Sequence, residues 1–387
     1  MAAFLYALGF AVLVGPCFVR SADVVSGIHL VTAISNNLVP KLFQALSPGR
    51  ENLVFAPFGL ASNLAMLLEA AGGDTERELR RALDLPAAAD LGEMRLGFKA
   101  YFDSFEAAAG DDEAAGSFNM AALRSSDVLS APYKALLAEY YKANITEAQP
   151  SENRTAARAA QVLELRSDSG VMSHWKDYHR LAAFAFLSHV ASAPFRRSAS
   201  RTVQVPMIPQ VGLFRSGHLQ HLGCEAVELP LEADAASLLL LVPDNPDRLD
   251  EAIVKLSALP LPDLVSGLER RETEVSLPQL AVLTSGLDLT PFLRQLGVRA
   301  AFDAGGADLA RASNAAYARS VQQDAYFATS FVAVNSVGSV AVDAAAKRTK
   351  RDSPALIVDR PFLFFLLHRD TQLVLLAGKV QNPTQIP

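Results

Sequence analysis

The sequence predicts an α+β fold, and three observations carry that expectation. Apolar residues recur at helical spacing between Asn52 and Pro86, while unbroken apolar runs of strand length stand at Ser237 to Pro243 and Phe362 to Leu367. Half of the 387 residues are apolar, enough for a sizeable core. The net charge of −6 comes from interspersed acidic and basic residues, which gives no reason to expect nucleic acid as a partner. No internal repeat is visible.

The chain starts with AAFLYALGFAVLVG, an apolar run of the length of a secretory core segment, and Val19-Arg20-Ser21 places a peptidase cut after Ser21. The usual basic residues ahead of the run are missing. Pro16 and Arg20 end it short of the roughly 20 apolar residues that span a bilayer, so residues 1–21 read as a signal peptide rather than an anchor. The expectation is a secreted, extracellular protein of one domain over 22–387, monomeric and not membrane-bound. The sequons at Asn144 and Asn153 fit that route. With Cys17 in the signal, Cys224 is the one cysteine of the mature chain, so no internal disulfide forms. Its strand-like surroundings predict a buried, inert thiol.

Between Asn52 and Pro86, Leu60, Leu64, Leu67, Leu68 and Ala71 define one helix, stopped by Gly72-Gly73. Thr75 and Glu78 have the spacing of a capping box for the next, which turns Leu79, Ala82 and Leu83 inward. From Gly92 to Val190 the pattern is harder to read, with Arg180 to His189 as the candidate central strand. His174 and His179 are five apart, which a helix would splay by about 140°, against a shared metal. His218, His221 and Cys224 fall in a turn-and-strand pattern, where offsets of three point to opposite faces. Val275 to Leu280 reads as a strand and Leu287 to Leu296 as a helix ending at Gly297. There is no GxSxG, no HExxH and no phosphate-cradling glycine loop, so neither an enzyme, a cofactor nor a metal is expected.

The most distinctive stretch is Asn335 to Phe365. Gly338 to Ala346 consists almost wholly of small residues with no bulky anchor, and four of the five residues Lys347 to Arg351 are cationic. Proteases of trypsin-like and subtilisin-like type cut after such residues. After Pro354, Leu356, Ile357 and Val358 and then Phe362 to Leu367 form β-rich apolar runs expected to be buried. A protease-accessible loop is thereby tied to a core strand.

Val358 to Pro383, VDRPFLFFLLHRDTQLVLLAGKVQNP, resembles the carboxyl-terminal signature of the serpins, particularly the plasminogen activator inhibitor type. Asn52 to Pro86, Val203 to Leu231 and Leu296 to Ser313 resemble further serpin motifs in the family's order, so that the likeness spans roughly residues 25 to 385. The resemblance implies a large mixed central sheet with smaller sheets, surrounding helices and an exposed reactive loop at about 338–357. It also shows departures. Ala56 and Gly59 stand where family members carry serines that help to hold the sheet shut, Leu163 where a tryptophan is expected, and Ala185 where a buried Asn is common. About ten residues are absent between Phe195 and Val203, and Ser336 replaces a hinge Glu.

Serpin inhibition, as the resemblance implies it, requires the cleaved loop to enter a sheet as an extra strand, dragging the acylated protease with it. Entry demands a period of two, with small neutral residues on the inward face. The hinge is Gly338, Ser339, Val340, Ala341, Val342, Asp343, Ala344 and Ala345, and its inward set is Ser339, Ala341, Asp343 and Ala345, followed by Lys347. Asp343 does not suit the task, since burying an unpaired carboxylate costs several kcal/mol. Counting from the hinge lands the specificity position on Asp352 and counting back from Pro361 lands it on Lys350; Arg351 lies between, with Asp352 after the scissile bond. Arg348-Thr349-Lys350-Arg351 matches the R-x-K-R pattern of furin-like convertases, whereas a trypsin-like protease needs the last residue alone. The expected partner is a serine protease that prefers Arg or Lys. The alternative is a non-inhibitory secreted serpin, a binding, carrier or decoy protein whose loop is cut without trapping.

Overall fold

The computed structural model describes residues 21–86, 89–109, 120–125, 129–147, 161–169, 191–230, 236–257, 261–313, 316–329 and 355–385. Its helices are α1 (Ser21–Leu46), α2 (Pro57–Ala70), α3 (Gly73–Ala82), α4 (Leu91–Ala109), α5 (Ala131–Tyr140), α6 (Leu249–Leu256), α7 (Leu261–Ser266) and α8 (Thr290–Gln295). The strands are β1 (Asn52–Phe55), β2 (Met120–Ser125), β3 (Asn144–Glu147), β4 (Gln161–Ser169), β5 (Ala191–Ser198), β6 (Arg201–Leu219) and β7 (Cys224–Pro230). They continue with β8 (Ala236–Pro243), β9 (Glu269–Pro278), β10 (Leu280–Asp288), β11 (Ala316–Thr329), β12 (Ala355–Ile357), β13 (Phe362–His368) and β14 (Val374–Val380).

Two mixed sheets organise the chain. A nine-stranded sheet runs β1-β14-β13-β8-β7-β6-β9-β12, with β5 added against β6, and a five-stranded sheet runs β10-β11-β4-β2-β3. The α+β expectation is met. Strand β8 and most of β13 are buried on both faces, which explains why they read as unbroken apolar runs. Phe327 of β11 stacks on Phe364 of β13 with centroids 3.9 Å apart, joining the two sheets through their cores.

Helix α2 begins with Pro57 in its first turn, where a missing N–H costs nothing, and is buried from Pro57 to Ala70 on every side. It packs against α1, against β14 of one sheet and against β4 of the other. Phe58 sits among Phe98, Tyr101, Phe102 and Phe105 at centroid distances of 5.5 to 5.8 Å. Leu79, Ala82 and Leu83 are buried as the spacing predicts. Helix α1 was not anticipated, although Val31, Ile34, Leu38 and Leu42 carry its buried stripe at helical spacing. It touches α4 backbone to backbone: a Cβ at Gly27 would strike the carbonyl of Glu93, and one at Gly97 the carbonyl of Gly27.

Several expected boundaries are corrected. Thr75 and Glu78 form no capping box, because α3 starts at Gly73 and both side chains reach across to a later segment. Thr75 Oγ1 accepts from the backbone N–H of Asp308 at 3.0 Å, and Glu78 accepts from Arg299 N and Ala300 N at 2.7 Å each. Val275 to Leu280 is not one strand: β9 ends at Pro278 and Leu280 opens β10 in the other sheet. The helix expected over Leu287 to Leu296 is confined to α8, since Leu287 and Asp288 still pair with Gln323 and Gln322. Gly297 follows at φ +93°, a left-handed position suited to glycine after a helix. Ile357, expected in the core, is 51% exposed, because β12 is an edge strand with one face in solvent. The expected central strand over 180–189 and the histidines at 174 and 179 lie outside the described residues.

Candidate functional site

The candidate site is the pair of anchors that flank residues 330–354. On the amino-terminal side stands β11, whose odd-numbered residues from Val321 to Thr329 face the core. A polar residue on such a face needs a partner. Gln323, 1% exposed, finds one in the backbone of Ala56: its Oε1 accepts from Ala56 N at 2.8 Å and its Nε2 donates to Ala56 O at 2.8 Å. The position read from sequence as stripped of its latch is thus held, by a carboxamide from another strand. Sequence reasoning missed Gln323; the one signal was a polar residue between Val321 and Ala325 on a buried face.

Two further polar groups fix the end of β11. Asp324 Oδ1 accepts from Ser285 Oγ at 2.8 Å and from Gly286 N at 2.7 Å, where β10 bulges and Gly286 takes φ +61°. Thr329 Oγ1 donates to Pro278 O at 2.6 Å and accepts from Leu280 N at 3.1 Å, so the last residue of β11 is tied to the point where the chain crosses from one sheet to the other.

On the carboxyl-terminal side, β12 pairs in parallel with β9, Ala355 opposite Glu274 and Ile357 opposite Ser276, and Val358 N donates to Ser276 O at 2.9 Å. Beyond it, Arg196 Nη2 is shared between the two oxygens of Asp359 at 3.1 and 3.0 Å, a charge-assisted contact, while Arg360 donates to Pro243 O at 2.6 Å. A cavity of about 440 Å³ opens beside β12, lined by Ser216, Arg271, Thr273, Leu356 and Arg360 among others. The segment between Thr329 and Ala355 therefore starts in the five-stranded sheet and ends on the edge of the nine-stranded one.

The hinge residues 338–345 and the specificity residues Arg348, Lys350, Arg351 and Asp352 lie outside the described residues, as does Asn153. Asn144 opens β3. Cys224 is fully buried at the start of β7, and burial pushes its thiol up to about 12, as an inert thiol requires. His218 is at the end of β6 and pairs with Asp244 at 3.1 Å, while His221 lies in the following turn, so the two do not converge with Cys224. Among the described residues no cluster of three or more His, Cys, Asp or Glu side chains could hold a metal, and no helix is long and apolar enough to cross a membrane.

The two sheets meet through their cores, and residues 330–354 link a strand of one to the edge strand of the other. The model of the family described as "Serpin (serine protease inhibitor)" matches residues 33–163 and 184–383, and the chain belongs to that family. It is 26% identical to Serpin B8 of Bos taurus over 366 residues, covering 86% of this chain and 93% of the relative. Among solved structures, Serpin48 of the insect Tenebrio molitor superposes with a TM-score of 0.70 at 18% identity, over 92% of this chain and 98% of that one. Human thyroxine-binding globulin superposes with a TM-score of 0.74 at 18% identity, over 93% and 100%.

Proposed function

We propose that this chain is a secreted serpin, one domain over 22–387 and monomeric, that traps a serine protease with preference for Arg or Lys. The protease cuts after Arg351, and the freed hinge, Gly338 to Ala345, enters the five-stranded sheet while the protease is still acylated. One observation carries this reading: β11, from which the loop departs, lies directly beside β4 and parallel to it, from Ala316 opposite Gln161 to Ala325 opposite Ser169. A strand folding back from Thr329 would run antiparallel to both. It would replace one parallel ladder by two antiparallel ones, which are slightly more stable per residue and nearly double the paired backbone. The Gln323 clasp on Ala56 holds β11 in its place until then.

A second reading, a non-inhibitory binding, carrier or decoy protein, is favoured by Asp343, which the family register assigns to the inward set of the hinge, and agrees with the presence of thyroxine-binding globulin among the structural neighbours. Mixing the purified protein with trypsin, furin and a plasminogen activator separates the two. A covalent complex that survives SDS means an inhibitor. Loop cleavage with full protease activity remaining means a substrate, and the inhibitor reading then fails. Replacing Arg348 by Ala abolishes most of the reaction with a furin-like target and little of that with a trypsin-like one.

A further inference from the structure

The solvent face of the nine-stranded sheet next to β12 carries a patch that the packing of the described residues leaves exposed. Register sets Val211 of β6, Glu274 of β9 and Ala355 of β12 in one row across three strands. Leu213 and Glu272 form the row beyond it, and Pro209, Ser276 and Ile357 the row before. Directly paired residues share a face, so these side chains lie together. Val211 is 68% exposed, Leu213 61% and Ile357 51%. They are three of the five large apolar side chains that stand exposed among the described residues, gathered where a strand with one wet face ordinarily presents polar groups. Glu274 has no ionic partner among the described residues. The charge changes sign further along, where Arg215 and Arg270 form the next row and Arg215 lies 3.7 Å from Glu228, so the acidic end of the patch is the end nearest β12.

We propose that this face is an exosite for the target protease: Val211, Leu213 and Ile357 receive an apolar side chain beside the protease's active-site cleft, and Glu274 pairs with a neighbouring Lys or Arg. The identity of the partner rests on the inhibitor reading; its placement rests on chain length. Ala355 follows Arg351 by four residues, so the scissile bond lies within roughly 14 Å of Ala355. Val211 is two strands away from Ala355, about 10 Å. A protease domain is about 40 Å across, so one seated on that bond overhangs the patch. Covering exposed apolar side chains supplies affinity by removing their surface from water, and a flanking charge supplies association rate.

The test measures the second-order rate constant of loop cleavage by whichever of trypsin, furin and a plasminogen activator reacts fastest, comparing wild type with the double variant V211S/L213S and with Glu274→Gln. The double variant is expected to react about tenfold more slowly or worse with an unchanged urea midpoint. Glu274→Gln is expected to flatten the fall of the rate with added salt. Because the readout is cleavage, it works whether or not the cut loop traps the protease, so a failure of trapping and a failure of the exosite are read separately. Rates within twofold of wild type in both variants would overturn the exosite. So would a wild-type protein that elutes as a dimer and becomes a monomer in V211S/L213S, since the face would then belong to a second copy of the chain.

Discussion

Gln323 clasps Ala56 from both sides, accepting from its N–H and donating to its carbonyl at 2.8 Å each, across 267 positions of sequence. Both residues are buried, so water cannot replace either bond. Gln323→Leu keeps the volume but leaves two backbone groups unpaired, at a cost of about 2 kcal/mol. The expected outcome is a lower urea midpoint with an unchanged m-value; an unchanged midpoint would mean that the clasp adds nothing to the closed sheet.

Glu69, with a side chain fully buried in α2, is held by a bidentate pair from Arg95 at 2.8 and 2.6 Å and by the hydroxyl of Tyr141 at 3.0 Å. The hydrogen bond to Glu69 also holds the Arg95 pKa above its ordinary value. Arg95→Met strands the carboxylate and is expected to cost about 3–5 kcal/mol. The double variant Glu69→Gln, Arg95→Met should regain a large part of that loss in chemical denaturation, because no buried charge is left without a partner.

His368 packs edge-on to Tyr101 at 5.6 Å and near Phe105 at 6.4 Å, and burial lowers its pKa below the ordinary value, outweighing the opposing charge of Asp370. The folded protein thus favours the neutral ring. Its contribution to stability is complete above the unfolded pKa of about 6.5 and is lost as pH falls from there through the lowered folded value. Melting temperatures taken between pH 7.5 and 5 should fall less steeply for His368→Phe than for wild type; parallel curves would show that another group governs that range.

The Cys224 thiol, pushed up to about 12 inside β7, stays protonated at ordinary pH and out of reach of reagents. Iodoacetamide at pH 8 is expected to leave the native chain unmodified and to label it once denatured, as intact mass would show. Labelling of the native protein at the rate of a free thiol would place the sulfur at the surface.

If the hinge enters the five-stranded sheet after cleavage, Asp343 must leave water, at a cost of several kcal/mol. Asp343→Ala is then expected to raise both the melting temperature of the cleaved protein and the yield of SDS-stable complex. Equal melting temperatures for the two cleaved forms would mean that position 343 stays in solvent or is paired.

The sequence by itself determined what depends on neighbours in the chain. The apolar spacing of Leu60 to Ala71, the unbroken runs of β8 and β13 and the turn before Cys224 were legible because periods of 3.6 and 2 report which faces a segment must bury. The family was legible in a different way, through the resemblance carried by short contiguous motifs such as Val358 to Pro383. Tertiary structure alone decided the partners. Nothing local says that Gln323 holds the backbone of Ala56, that Thr75 and Glu78 serve the segment from Arg299 to Asp308 instead of their own helix, or that Ile357 stands at a wet sheet edge. Each of these turns on which strand or loop lies opposite, and a buried polar group fixes only that some partner must exist, leaving its place in the chain to the packing of the whole.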